Sequence, residues 1–327
     1  MNPPAPADAA RPREGWIVVQ FGLAGLVWGA SFLFIALALT GLSPAQVATA
    51  RAVLGALTLL ALVVITRDRL PAWGAVWGHL AIIGVTFCVV PYLLFSWAQQ
   101  YVASGLASVY NATTPIMTAL IAALVLRVER LDRAQRLGIG VGILGVIVII
   151  GPWRGLVLGG DLLPQLAMLG ATACYGFGLA YMRRYLAATG SSALAMTAAY
   201  IAIAAVVLLA LTPLIGFTPI DLSPTVVFAV IALGALGTGL AYVWNQNVVR
   251  AWGATRASTV TYITPVIGVL LGIVVLGEGL VWNEPVGAAL VILGVLLAQG
   301  RLRAGRGRRG RRVRPGRRGR RGRPLSA

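Results

Sequence analysis

The sequence predicts an all-α membrane protein: ten transmembrane helices built as two inverted five-helix repeats, with both termini in the cytoplasm. Three observations carry this expectation. Of 327 residues, 58% are hydrophobic and only 11% charged, whereas a soluble domain carries about a quarter charged. The apolar residues come in long continuous runs rather than in alternation, which selects helices over a barrel. Finally, the stretch Ala107–Leu126, ASVYNATTPIMTALIAALVL, returns as Ala257–Leu276, ASTVTYITPVIGVLLGIVVL, with seven of twenty positions identical, Ser108/Ser258, Thr114/Thr264 and Pro115/Pro265 among them.

Residues 1–15 are rich in Pro and Ala and read as a disordered lead. The run that follows is too long for a signal-peptide core and reads as a retained first span. Apolar runs then fall at 16–38, 45–65, 76–98, 102–126 and 134–151, and again at 162–182, 193–215, 225–247, 254–276 and 284–300. Arginine fixes the count and the orientation. Arg11, Arg13, Arg67, Arg69, Arg127, Arg130, Arg133, Arg136, Arg183, Arg184, Arg250 and Arg256 fall in alternate connectors, and Arg154 stands alone in the others. By the positive-inside rule the arginine-rich connectors are cytoplasmic.

The repeat extends along the chain at an offset near 150: Gly84 matches Gly234, Tyr92 matches Tyr242, Glu129 matches Glu278, Gly138 matches Gly287 and Gly145 matches Gly294. The two repeats are therefore 16–151 and 162–300. Five helices per repeat is an odd number, so the halves enter the membrane from opposite sides. Inverted repeats of this kind build transporters with a midplane site between the halves. Residues 301–327 hold thirteen arginines and no acid, most of the net charge of +18. They read as a disordered cytoplasmic tail held near anionic lipid. The tail lacks interleaved aromatics, so specific nucleic-acid recognition is not expected.

Composition also excludes functions. All 27 basic residues are arginine; without lysine there is no P-loop ATPase motif in this chain and no Schiff-base chemistry. Cys88 and Cys174 lie in apolar runs and read as small buried side chains. One histidine, His79, and nine scattered acids make no metal or catalytic cluster, so no metal or cofactor is expected. No carboxylate falls in the middle of a span, which weakens an ion-coupled mechanism. The chain leaves oligomeric state open.

The candidate site residues are polar or aromatic groups at membrane depth, costly unless they face a cavity or another helix. Trp28, Tyr92, Asn111, Tyr175, Tyr242, Asn245 and Thr261 are expected to line a solute pocket; Trp97, Gln99, Tyr181 and Gln246, nearer span ends, read as interfacial. Ser108, Asn111, Pro115 and Thr118 share one face of the fourth helix, and Ser258, Thr261, Pro265 and Gly268 share one face of the ninth. Such small-residue stripes pack helices closely, line a cavity, or do both. Pro115 and Pro265 are candidate hinges. Arg51, about two turns into the second span, either recognises a substrate carboxylate or snorkels to the interface. Glu129 and Glu278 close the fourth and ninth helices as caps or as gates.

These motifs resemble the EamA-type family of the drug/metabolite transporter superfamily. The resemblance rests on Trp28-Gly29 and Tyr175-Gly176, on Pro115 and Pro265, on Glu129 and Glu278, and on Gly138/Gly145 with Gly287/Gly294. It covers about residues 16–300. Before the acid, the second half reads Gly277-Glu278 where the first reads Arg127-Val128-Glu129. The resemblance implies a multi-pass protein of a bacterial plasma membrane that moves small organic solutes, such as amino acids or their derivatives, often outward. The alternatives are an uncoupled facilitator, a polytopic membrane enzyme and a sensor recruited through the tail.

Overall fold

The computed structural model describes residues 14–127, 131–154, 162–186, 190–215 and 218–299, and every regular element among them is helical. The N-terminal lead up to residue 13, the arginine tail and Glu129 lie outside the described residues. Ten helices follow the apolar runs: α1 Glu14–Ala38, α2 Pro44–Ile65, α3 Ala75–Ala98, α4 Ser104–Leu124, α5 Arg133–Ile150, α6 Leu162–Tyr185, α7 Ala193–Ile215, α8 Pro224–Trp252, α9 Val260–Leu276 and α10 Asn283–Ala298. Eight are long and apolar enough to cross a membrane; α9 and α10 are shorter apolar helices.

Local sequence sets the ends. Ser43 caps α2 in a reciprocal box with Gln46, with Pro44 in the first turn; Asp132 and Gln135 do the same for α5. Each box satisfies two backbone donors that the helix start leaves open. Gly151 and Gly277 close α5 and α9 in the left-handed region, at φ 61° and 68°, where a side chain would be strained. The amides near 245 suggest an end to the eighth span, yet α8 runs on to Trp252, because its polar side chains face protein rather than end the helix.

Three helices are not regular inside. A π-helical segment interrupts α3 at Gly84–Val89, and another interrupts α8 at Ala232–Leu240. The two occupy matching places in the sequence repeat, and single π-turns mark functional sites in many helices. In α4 the helix breaks after Asn111 and restarts at Thr114, with Pro115 in the new first turn. Its counterpart Pro265 sits inside continuous α9, preceded by a separate short turn at Ala254–Ala257. The expected pair of matching proline hinges is thus unequal in form. Thr113 and Thr114 bond back to the Tyr110 and Asn111 carbonyls at the break in α4, and Thr259 and Thr261 do the same to the Arg256 and Ser258 carbonyls at the start of α9.

The helices pack in pairs: α5 on α10, α2 on α7, α4 on α9, α1 on α9 and α8, α6 on α4 and α3, α2 on α8 and α7 on α3. Glycines make the closest of these contacts possible. A Cβ on Gly138 would lie 2.4 Å from the Ala298 amide, and one on Gly294 would lie 2.5 Å from the Gly142 amide, so α5 and α10 meet backbone to backbone. Close approach maximises dispersion and weak Cα–H···O contacts where no hydrophobic effect drives association. The Gly29 of Trp28-Gly29 admits Ile267 and the Thr264 carbonyl of α9; the Gly176 of Tyr175-Gly176 admits the backbone of Met117 and Thr118 on α4. The outward faces carry exposed Val64, Val206 and Val274, the surface expected against hydrocarbon.

Candidate solute-binding site

Arg51 stands eight residues past the α2 cap, about 12 Å along the helix. It does not reach for an interface. Its Nε donates to Thr238 Oγ1 at 3.0 Å, and its guanidinium lies 4.1 Å over the Tyr92 ring. Thr238 belongs to the π segment of α8 and donates its own proton to the Leu233 carbonyl, five residues back. Gly55, one turn after Arg51, gives Thr238 its room; a Cβ there would meet the Thr238 side chain at 2.5 Å. Tyr175, Tyr242 and Cys88 also lie within electrostatic reach of the guanidinium. Among the described residues no carboxylate pairs with Arg51.

The walls are aromatic. Tyr242 meets Trp28 edge-on with centroids 5.6 Å apart, and Trp28 Nε1 donates to the Gly237 carbonyl at 3.0 Å, again in the π segment. Tyr175 stacks on Phe95 and meets Phe87 edge-on at 5.1 Å; Phe87 in turn meets Tyr200. The Tyr92 hydroxyl is buried without a hydrogen-bond partner; the neighbouring Cys88 thiol is a weak one. Of the residues expected to line a pocket, Tyr92, Tyr175 and Tyr242 of α3, α6 and α8 come together near Arg51, and Trp28 of α1 joins them through Tyr242.

A cleft of about 440 Å³ leads to this cluster from one end of the bundle. Its rim holds Thr66, Arg67 and Arg250, all exposed. Thr197, Gln246 and Asn247 line its sides, and Leu59 and Tyr242 lie at its deep end. Arg51 itself does not line it. At the rim the Ser192 hydroxyl donates to Asp68, tying the end of α2 to the start of α7. Asn247 also donates to Gln20 of α1 at 3.0 Å.

Other expected site residues lie elsewhere or are otherwise engaged. Thr261 spends its hydroxyl on the Ser258 carbonyl at 2.7 Å. Asn245 does not line the cleft, whereas its neighbour Gln246, read as interfacial, does. Asn111 sits partly buried at the break in α4. Gln99, also read as interfacial, is buried and donates to the Phe32 carbonyl. The small-residue stripes of α4 and α9 face each other: Ser108 is fully buried, donates to the Gly105 and Pro265 carbonyls, and abuts Gly268. Here the stripe is a packing seam. Glu278 accepts from the Ser104 and Gly105 amides at 2.6 and 2.9 Å, capping α4 from the far half of the chain. Thr238 was missed; a lone hydroxyl in the glycine-rich run GALGTGL, at the repeat mate of Gly84–Val89, was the available signal.

An apolar helical bundle with an arginine among aromatic rings inside it, and a cleft from one end that reaches Tyr242, has the form of a multi-pass membrane transporter. The family model for the EamA-like transporter family matches residues 15–151 and again 162–299, and the chain belongs to that family. An uncharacterized transporter of Archaeoglobus fulgidus is 27% identical over 290 residues, which cover 86% of this chain and 97% of that protein. YedA of Escherichia coli K12, named an uncharacterized inner membrane transporter, is 25% identical over 276 residues, covering 83% and 87%. YdfC of Bacillus subtilis, another uncharacterized transporter, is 23% identical, covering 82% and 86%. A solved crystal structure superposes with a TM-score of 0.63 at 20% identity, over 87% of this chain and 98% of that one, a likeness of fold.

Proposed function

We propose that the chain is a secondary transporter, without enzymatic activity, that exports small organic metabolites such as amino acids or related solutes across a bacterial inner membrane. Its working form is ten spans in two inverted repeats, 16–151 and 162–300, with cytoplasmic termini and an arginine tail resting on anionic lipid. The packing list supports the repeat. Exchanging α1–α5 for α6–α10 turns α1–α9 into α6–α4, α1–α8 into α6–α3 and α2–α8 into α7–α3, while α2–α7, α4–α9 and α5–α10 map onto themselves. The arginine-rich rim of the cleft then faces the cytoplasm, an inward-open arrangement suited to loading an exporter.

The observation that carries this reading is the cleft ending at Tyr242, beside Trp28 and within reach of Arg51. Aromatic walls with a few polar groups suit an organic solute better than a bare ion. Tyr242→Ala is expected to lower flux in proteoliposomes about tenfold with normal expression, since it removes the wall shared by cleft and centre. Asn111→Ala is expected to lower it less. Unchanged flux in Tyr242→Ala would remove the site assignment. An uncoupled facilitator is the second reading, favoured because the described acids Glu14, Asp68, Asp132, Asp221, Glu278 and Glu284 stand at helix ends or in connectors. It requires flux that an imposed proton gradient leaves unchanged; a gradient-driven rate would instead establish coupling.

A further inference from the structure

We propose that the solute read by this site is an organic monoanion, a single carboxylate on an apolar or aromatic body with no free ammonium group, and that its movement carries net charge. This rests on the transporter reading and narrows its solute class, from amino acids and related solutes to those relatives that lack the ammonium group.

The first ground is the state of Arg51. Only its Nε has a hydrogen-bond acceptor. The two terminal nitrogens, the fork that matches a carboxylate in bidentate fashion, have none among the described residues. The Tyr92 ring covers one face of the guanidinium, so the cation is held in one pose without being neutralised. A half-buried cation with an open fork and no counter-ion among the described residues calls for an anion. The Tyr92 hydroxyl, buried with only the weak Cys88 thiol as partner, supplies a donor beside it.

The second ground is asymmetry. A Cβ on Gly234 would lie 3.3 Å from the Arg51 carbonyl, and one on Gly84 would lie 2.8 Å from the Tyr200 carbonyl. The packing frame therefore places Tyr200 of α7 where α2 has Arg51. One half thus carries a cation at the position where the other carries a phenol. A solute with one charged end and one uncharged body fits this polarity. A zwitterion does not, because no described carboxylate stands near the centre to receive its ammonium. A phosphate monoester, near two negative charges, would leave one charge uncompensated.

The consequence is electrical. No described acid at the centre can return a proton with the solute, so each cycle moves one negative charge. An interior-negative membrane favours exit of that anion, by about 50-fold in equilibrium ratio for each 100 mV. Export then follows from charge alone.

The test compares 3-phenylpropanoate with 3-phenylpropanamide and phenylalanine, three solutes with one body and different ends. Full-length protein in liposomes should move 3-phenylpropanoate at least tenfold faster than the other two, and a valinomycin potential should drive it toward the positive side. Arg51→Gln should cut that flux by about tenfold or more. Arg51→Lys should retain the dependence on potential at a higher KM, since the charge survives without the fork. In detergent, 3-phenylpropanoate should raise the melting temperature of the wild type and leave Arg51→Gln unmoved. Melting without added solute reports whether each variant is folded. Arg51-dependent stabilisation without flux would retain the anion site and overturn the transporter reading. Flux of phenylalanine or the amide at the same rate, or an unimpaired Arg51→Gln, would overturn the anion site and retain transport. Neither binding nor flux of 3-phenylpropanoate by folded wild type would also overturn the anion site.

Discussion

Gly145→Val is expected to leave little folded protein in the membrane. A Cβ on Gly145 would fall 2.7 Å from the Val291 amide and 2.8 Å from the Gly287 carbonyl. Both obstacles are backbone, so no rotamer change relieves them. The α5–α10 pair would have to separate along a seam where Gly138, Gly145, Gly287 and Gly294 all approach backbone. Overpacking of this kind costs about 3 kcal/mol, a large part of the total stability of a protein. Gly140→Val supplies the control: it lies on the same helix, exposed, with nothing within 4 Å of its added Cβ. Fluorescence-detected size-exclusion and thermal melting of the two variants check the difference. Equal profiles would show that α5 and α10 are not held by this seam.

Glu278→Gln is expected to lower stability by about 2 kcal/mol, the scale of hydrogen bonds to a charged group. The carboxylate accepts from two backbone amides at the start of α4, where the helix dipole also favours a negative charge. An amide offers one acceptor and turns a donor toward the other N–H. Gly272→Ala should act on the same contact, since its Cβ would lie 2.1 Å from the carboxylate. Glu278→Ala removes that obstacle, so the double variant should lose less than the sum of the single losses. Additive melting shifts would show that the two positions do not share this contact. Because the cap joins the loop after α9 to the start of α4 in the other half of the chain, loosening it should also slow flux.

The scaffold was legible because hydrophobic thickness and arginine placement are one-dimensional signals. Eight of the ten runs coincide with the observed helices to within a few residues; the exceptions are α8, which runs on past 247 to Trp252, and α9, whose first residues form the separate turn Ala254–Ala257. The site was partly legible for a related reason. Trp28, Tyr92, Tyr175, Tyr242 and Arg51 are conspicuous because polar and aromatic groups at depth need a partner or a cavity. Their meeting could not be read from the chain. It depends on the π segments at Gly84–Val89 and Ala232–Leu240, which shift the register of α3 and α8 and set Thr238 against Arg51. Periodicity counts residues at a fixed angle and is blind to such a shift.

The repeated stripes show the same division. That Ser108 and Ser258, or Pro115 and Pro265, lie on one face of their helices follows from spacing. Which surface that face meets does not, and Ser108 turned out to lie against Gly268 rather than in a cavity. The sequence by itself determined a helical membrane protein, its family and the residues too polar to face lipid, since each is a property of single segments in a known solvent. The tertiary structure alone decided that one unneutralised arginine sits among three tyrosines, that a cleft reaches them from one end, and that Glu278 caps a helix of the other half. Those are contacts between segments far apart in the chain, and only close packing brings them together.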